Sequence, residues 1–415
     1  MHDGTTSNMT HFSLATNFDD SLIDEVAGSP VREIYGKLTA DAVGGGRASY
    51  QVDGIGWSRL EGHVHKAKKA GIQFNYLLNG ACTNNIESTR NGQRAVHRLL
   101  DRVVDVGVGA VTLASPHLLQ IVKKRHPQLE VRISVFAGTD HVRKARMWEE
   151  LGADRIALDS LLVNREFKLL AALRRSVSVG LELLVNNHCL QSCALSPHHM
   201  NTLAHASQKG HGTKGFFVDW CFLSCTRMRL EDPINYIRAD WIRPEDLHLY
   251  EELGYDCFKL VERAAPTGVL AARVRAYTER KYDGNLLDLV QPYGFPRALA
   301  GGGKQAKRGG PRWMLRYLLR PLLANPKRML RMRQLGEEMG MLDAHDGPPP
   351  VVVDNRALDG FLERFQTVGC RDVDCDGCGH CKEWANRAVT VDPAFRERAL
   401  ARHTELIEEL EVVGP

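Results

Sequence analysis

The chain has 415 residues, 43% of them hydrophobic, and a formal net charge of +4. That length and apolar fraction suffice for one large domain with a smaller companion, and so small a positive excess makes no case for nucleic acid by itself. No run of about 18 apolar residues exists, so no spanning helix is expected; residues 1–20 show no secretory signal, and in the reducing, cytoplasmic setting this implies, ten cysteines point to metal binding and core packing rather than disulfides.

Residues 1–30 are polar and irregular, with room for one short strand or helix between Phe12 and Val26. A strand–helix rhythm begins at Val31. Strands are predicted at Val31–Leu38, Ile72–Leu78, Val108–Leu113, Val131–Phe136, Arg155–Leu158, Gly180–Val185, Tyr236–Ile242 and Cys257–Val261. Between them run helical patterns. Gly92–Val106 carries Val96, Leu99, Leu100, Val103 and Val104 at helical spacing, and Ser115-Pro116 supplies an N-cap and a first-turn proline. Eight such units in about 250 residues predict an α/β fold, a closed (β/α)8 barrel. The strands are short apolar runs, as in parallel sheets covered on both faces. A doubly wound open sheet is the rival, but no Gly-x-Gly-x-x-Gly follows a strand. Gly44-Gly45-Gly46 is a weak phosphate signal, because no helix follows directly; it reads better as a flexible loop over the barrel mouth. The expected division is a tail at 1–30, a barrel at 31–295, a basic amphipathic region at 296–347 and a four-cysteine module at 348–415.

Barrel chemistry sits at the C-terminal strand ends. There the sequence places Glu33, Tyr35, Asn79, Asn186, Asn187, Arg243, Glu262 and Arg263, polar groups able to bind a polar, carboxylate-bearing substrate. The connection after the sixth strand holds two Cys-x-x-x-Cys pairs, Cys189 with Cys193 and Cys221 with Cys225. Together they can offer four thiolates to one centre, a donor set that suits an iron–sulfur cluster or structural zinc. His198 and His199 follow the first pair and reach a cluster, a substrate or only solvent. Cys82 is either a fifth rim thiol or an inert loop residue, and Cys257 is expected to pack in the core.

Residues 311–335 form a basic amphipathic stretch, with Arg312, Arg316 and Arg320 at helical spacing. Docking on the barrel, a peripheral membrane contact and a nucleic-acid contact all remain open for it. Beyond Pro348–Val353 lie Cys370, Cys375, Cys378 and Cys381 within a dozen residues. With Gly377 and Gly379 between them, they resemble ferredoxin loops and favour a second [4Fe-4S] cluster over a zinc knuckle. Pro393–Val413 is predicted to be a final amphipathic helix.

Val31–Leu38, Gly44–Arg47, Phe74–Cys82, Asn187–Cys193, Trp241–Leu247 and Cys257–Arg263 together resemble the collagenase-like peptidase family, peptidase family U32, over Val31 to Val290. Branches of that family include paired proteins of oxygen-independent ubiquinone hydroxylation and enzymes that hydroxylate bases in transfer and ribosomal RNA. The resemblance implies a [4Fe-4S] site on the barrel, carried onto Cys189, Cys193, Cys221 and Cys225. The expected function is an iron–sulfur enzyme for oxygen-independent hydroxylation, or a related redox modification, of a small molecule or nucleobase, with an electron donor or a paired homologous subunit as partner. A peptidase is the alternative. It would need a nucleophile or catalytic metal, and neither Gly-x-Ser-x-Gly nor His-Glu-x-x-His is present. A non-catalytic electron carrier and a sulfur transferase complete the alternatives.

Overall fold

The computed structural model describes residues 9–51, 54–290, 294–300, 326–339, 344–345 and 347–411. Eight parallel strands close into a barrel in chain order: β1 (His11–Ala15), β2 (Val31–Gly36), β3 (Gln73–Leu78), β4 (Ala110–Leu113), β5 (Glu130–Ile133), β6 (Arg155–Ala157), β7 (Gly180–Leu184) and β8 (Cys257–Leu260), with β8 returning to β1. The helices wrapping it include α1 (Asp20–Val26), α2 (Trp57–Lys69), α3 (Arg90–Asp105), α4 (Pro116–Arg125), α5 (Val142–Glu150), α6 (Ser160–Val163) and α7 (Phe167–Ser176). The fold is a (β/α)8 barrel, as the rhythm predicts. Ser115 caps α4 as its sequence requires, its Oγ accepting from the Leu118 amide at 3.2 Å.

Two elements differ from expectation. The first strand is His11–Ala15, inside the stretch read as a tail. Its five residues look irregular because Ser13 faces a polar interior and His11 opens the strand. The predicted strand Tyr236–Ile242 is not a barrel strand. β7 pairs directly with β8 through Glu182 and Cys257, leaving no slot for it. Tyr236 lies in a short helix, α10 (Ile234–Ile237), and Ala239 bridges antiparallel to Leu190 beyond the end of β7. The apolar run is real, but it packs outside the sheet: Trp241 and Ile242 are fully buried between the barrel and the C-terminal residues, Trp241 against Phe361.

Strand alternation sends Ile34, Phe74 and Val111 outward to the helices. The inward set is largely polar. Glu33 of β2 meets Arg132 of β5 across the barrel at 2.6 Å, accepts from Ser13 at 2.6 Å, and accepts from Asn75 at 3.0 Å. On the other side Lys259 pairs with Glu182 at 2.8 Å, and Cys257 donates to the same carboxylate. These buried charges are tolerable because each is paired and hydrogen-bonded. A small apolar layer of Ala15, Tyr35 and Leu77 also lies among the inward positions.

The long insertion after β7 holds α8 (Ser196–Ala206), α9 (Trp220–Glu231) and α10; α11 (Leu247–Glu251), α12 (Thr267–Glu279) and α13 (Leu286–Val290) follow. Beyond the barrel come α14 (Pro326–Glu338), then β9 (Val351–Val353), α15 (His380–Ala388), β10 (Val389–Val391), which pairs antiparallel with β9, and α16 (Pro393–Glu411). Val351, Phe361, Trp384 and Leu406 join the same hydrophobic core as the barrel helices. Most of the basic stretch, residues 311–325, lies outside the described residues, Arg312, Arg316 and Arg320 among them. Its described end, α14, docks on α16: Arg331 pairs with Glu405 and Glu409, and Arg398 and Arg402 pair with Glu338. No described helix is long and apolar enough to cross a membrane.

Candidate active face at the barrel mouth

The insertion arches over the C-terminal ends of the strands. At its far side Ser207 donates to the Gly45 carbonyl and accepts from the Gly45 amide at 2.7 Å, while Gln208 bridges to Asp41. This explains Gly44-Gly45-Gly46. Gly44 has φ +83, and a Cβ there would stand 2.3 Å from the Ala204 carbonyl oxygen. The glycines let two loops meet closely over the mouth.

Under that roof sits a charged cluster. Lys37 pairs with Asp41 at 3.0 Å, both nearly sealed from solvent, and Tyr76 donates to Asp41 at 2.8 Å. Arg47 pairs with Glu262, whose backbone φ of +92 is strained for a residue with a side chain. Burial, then the neighbouring Arg47, pulls Arg263 down to about 10; Tyr35, Glu262 and Tyr76 oppose this. Asn79 donates to Ser134 at 3.4 Å, and its buried Oδ1 has no hydrogen-bond partner. At the end of β6, burial pushes the Asp159 carboxyl up to about 6, with Asp140 and Asp240 adding to the shift. Such a group exchanges protons near neutral pH.

The four insertion cysteines gather at this same end. Cys189 and Cys193 bracket a turn in which Ser192 takes φ +53. Asp240 holds the turn, accepting from the Cys189 amide at 2.8 Å, from Asn187 at 2.9 Å and from Ser160 at 2.6 Å. Cys221 and Cys225 stand four residues apart on α9, so they share one face. Asp219 caps that helix at the Phe222 amide and pairs with His199 at 2.8 Å. The thiols sense one another. Burial raises Cys189, with Asp240, Cys225 and Cys193 contributing, and burial raises Cys221 to about 12, with Asp219, Cys225 and Cys193 contributing. The buried Arg229 reaches Cys225 at 3.5 Å and also bonds the His188 carbonyl. Among the described residues, no group of three or more His, Cys, Asp or Glu side chains is arranged to hold a single metal ion.

The remaining predicted residues divide by surroundings. Glu33 and Tyr35 lie inside the barrel rather than on its rim; Tyr35 donates to the Leu260 carbonyl, and the Lys259 ammonium lies 4.3 Å from its ring centre. Asn187, Asn79, Glu262 and Arg263 belong to the mouth. Arg243 is fully buried and clamps structure: it grips Asp246 with two bonds of 2.7 and 2.8 Å, and holds the Asn355 carbonyl and Asp359. His198 is exposed on α8. Cys82 accepts from the Asn84 amide, and Cys257 is buried beside Glu182. Sequence reasoning missed Lys37, Asp41, Arg47, Asp159, Arg229 and Asp240. Of these, Arg229 stands one helical turn after Cys225, and Lys37 and Arg47 lie within the stretches that carry the family resemblance.

A Thr–His–Asp chain also went unnoticed. Thr16 Oγ1 lies 2.7 Å from His63 Nε2, and His63 Nδ1 lies 2.6 Å from Asp20. It has the connectivity of a nucleophile, base and orienting acid, but Thr16 is wholly buried and its oxygen accepts from the Phe18 amide.

Fold and site together define a (β/α)8 barrel with a cysteine-rich insertion at the C-terminal ends of its strands. The model of peptidase family U32 matches residues 40–281, more than half of the chain, and the chain belongs to that family. An uncharacterized protease of Methanocaldococcus jannaschii, MJ1657, is 29% identical over 349 residues, covering 84% of this chain and 86% of its own. Among solved structures, the U32 peptidase Mk0906 is 23% identical with a TM-score of 0.47, covering 63% of this chain and 96% of that one. FabK from Thermotoga maritima is 11% identical with a TM-score of 0.33, over 65% and 69% of the two chains.

Proposed function

We propose that this chain is an iron–sulfur enzyme that carries out an oxygen-independent hydroxylation, or a related redox modification, of a small molecule or nucleic-acid base. The observation that supports it is the meeting of Cys189, Cys193, Cys221 and Cys225 at the end of the barrel where this fold does its chemistry. An all-sulfur donor set with a buried arginine beside it fits a thiolate-ligated cluster, whose net negative charge Arg229 offsets. When bound, the cluster would take up, one at a time, the two electrons released as water supplies the added oxygen, with two protons leaving.

The protein's own residues do the rest. Asp240 fixes the backbone and orientation of Cys189. The roof formed by the insertion and Gly44–Gly46 keeps water from the mouth. Arg263 and Asn79 bind and orient a polar substrate, and the Asp159 carboxylate takes up or returns its proton.

The family name carries a second reading, a peptidase, and the Thr16–His63–Asp20 chain is the one observation in its favour. A hydroxyl with no exposure cannot meet a polypeptide, so the first reading is preferred. Mass spectrometry of nucleosides and metabolites from anaerobic cells, carrying either the natural gene or a Cys189→Ser allele, separates the two. The expected result is a species one oxygen heavier in the former and lost in the latter. Identical profiles, with peptide cleavage that persists in Cys189→Ser and vanishes in Thr16→Val, would favour the peptidase.

A further inference from the structure

Cys370, Cys375, Cys378 and Cys381 lie outside the stretch that the family model matches. Their spacing is C-x4-C-x2-C-x2-C, which begins like plant-type ferredoxins and ends like bacterial ones. Cys375 is exposed while Cys370 and Cys381 face the barrel. The segment is docked, not trailing. The Arg371 amide donates to Glu166 at 3.1 Å, and a Cβ on Gly369 would stand 2.2 Å from the same carboxylate. His380 stacks on Phe361, with ring centres 5.3 Å apart, and bonds the Phe361 carbonyl.

Beneath it lies Arg165, only 1% exposed. Its guanidinium sits among Trp241, Phe361 and Phe365, at 5.0, 4.8 and 5.5 Å from their ring centres. One nitrogen donates to the Ile237 and Ala239 carbonyls, while Nε and Nη1 are buried with no hydrogen-bond partner. No described carboxylate pairs with it. An unpaired buried cation is costly, so the site calls for a negative charge. Cys370 and Cys381 pack against the core that includes those three rings. The Cys189–Cys193 turn is anchored on the same side, where the Gln191 backbone amide donates to the Arg238 carbonyl at 2.8 Å.

We infer that Cys370, Cys375, Cys378 and Cys381 ligate a second iron–sulfur cluster, seated on the barrel over Arg165 as its buried counter-cation and one turn of chain from the rim tetrad. The cluster, rather than zinc, follows from the ferredoxin-like spacing. The inference adds to the function proposed above and its test can fail separately.

Iron, acid-labile sulfide and zinc are measured on anaerobic full-length protein, on Cys378→Ser and on Cys189→Ser, with electron paramagnetic resonance after dithionite reduction. The expected iron content is about eight per chain in the natural protein and about four in each variant. The natural protein should show two broadened, interacting signals and each variant a single sharp one. Arg165→Lys, which keeps the charge, should keep the second signal at a nearly unchanged potential, and Arg165→Met should move it to more negative potential. Four irons lost in Cys189→Ser and kept in Cys378→Ser would overturn this inference and leave the proposed function standing; the reverse would leave the second cluster and remove the rim one. One zinc lost in Cys378→Ser, with iron unchanged, would also overturn it.

Discussion

A polar residue that the sequence places at a strand end does one of two jobs here, and its neighbours decide which; Arg243 in fact follows no strand. Arg243 meets Asp246, Asn355 and Asp359 and becomes a clamp, whereas Arg263 lies among Arg47, Glu262, Tyr35, Tyr76 and Lys37 in the cluster at the mouth. The sequence marks both as arginines after a strand, and only the partners, distant in sequence, separate them. His63 shows the same dependence on context. Burial lowers its pKa, and its pairing with Asp20 offsets part of that shift. The folded chain therefore holds it neutral where the unfolded chain, with a pKa of about 6.5, takes up a proton. The sign follows: the unfolded state binds more protons below about pH 6.5, so stability falls as pH drops through that window. Urea midpoints measured from pH 7 to 5 should decline more gently in His63→Gln than in the natural protein. Equal slopes would mean that Asp20 keeps the imidazole charged in the fold.

Among elements, the insertion between β7 and β8 roofs the barrel mouth, and it meets Gly44 closely. Gly44→Ala adds a methyl group against the Ala204 carbonyl at a left-handed φ, a change expected to cost about 1–3 kcal/mol. Hydrogen exchange should quicken at residues 41–46 and 200–208 and stay unchanged at β4 and β5. Unchanged exchange at the roof would show that the two loops do not depend on each other. The barrel rhythm was legible because most strands are short apolar runs between turn residues, as β3 and β4 are. β1 was not, because an inward Ser13 that serves Glu33 breaks the pattern. The Tyr236–Ile242 run misled for the opposite reason, since burial against Phe361 imposes the same apolar content as burial in a sheet. Both cysteine tetrads were visible in the sequence, because sulfur at short spacing has few other uses. The groups that surround them, Asp240, Arg229 and Arg165, were not, since each arrives from another element.

At the scale of the molecule, barrel, insertion and C-terminal residues share one hydrophobic core, and α16 packs on α9, the helix that carries Cys221 and Cys225. Arg243 ties the C-terminal residues to the barrel from the other side. This arrangement places two sets of four thiols on one shared core, and it accounts for eight of the ten cysteines; Cys257 is buried beside Glu182, and Cys82 lies in the loop after β3. The claim on which the function rests is that the rim thiols bind iron as a cluster. Mössbauer spectroscopy of isotopically enriched, anaerobically prepared Cys378→Ser protein tests it most directly, because only the rim tetrad is then intact. The account predicts sulfur-coordinated iron in mixed-valence pairs, with about four irons per chain. A spectrum without sulfur-ligated iron, from a folded protein whose rim thiols all remain open to alkylation, would contradict it.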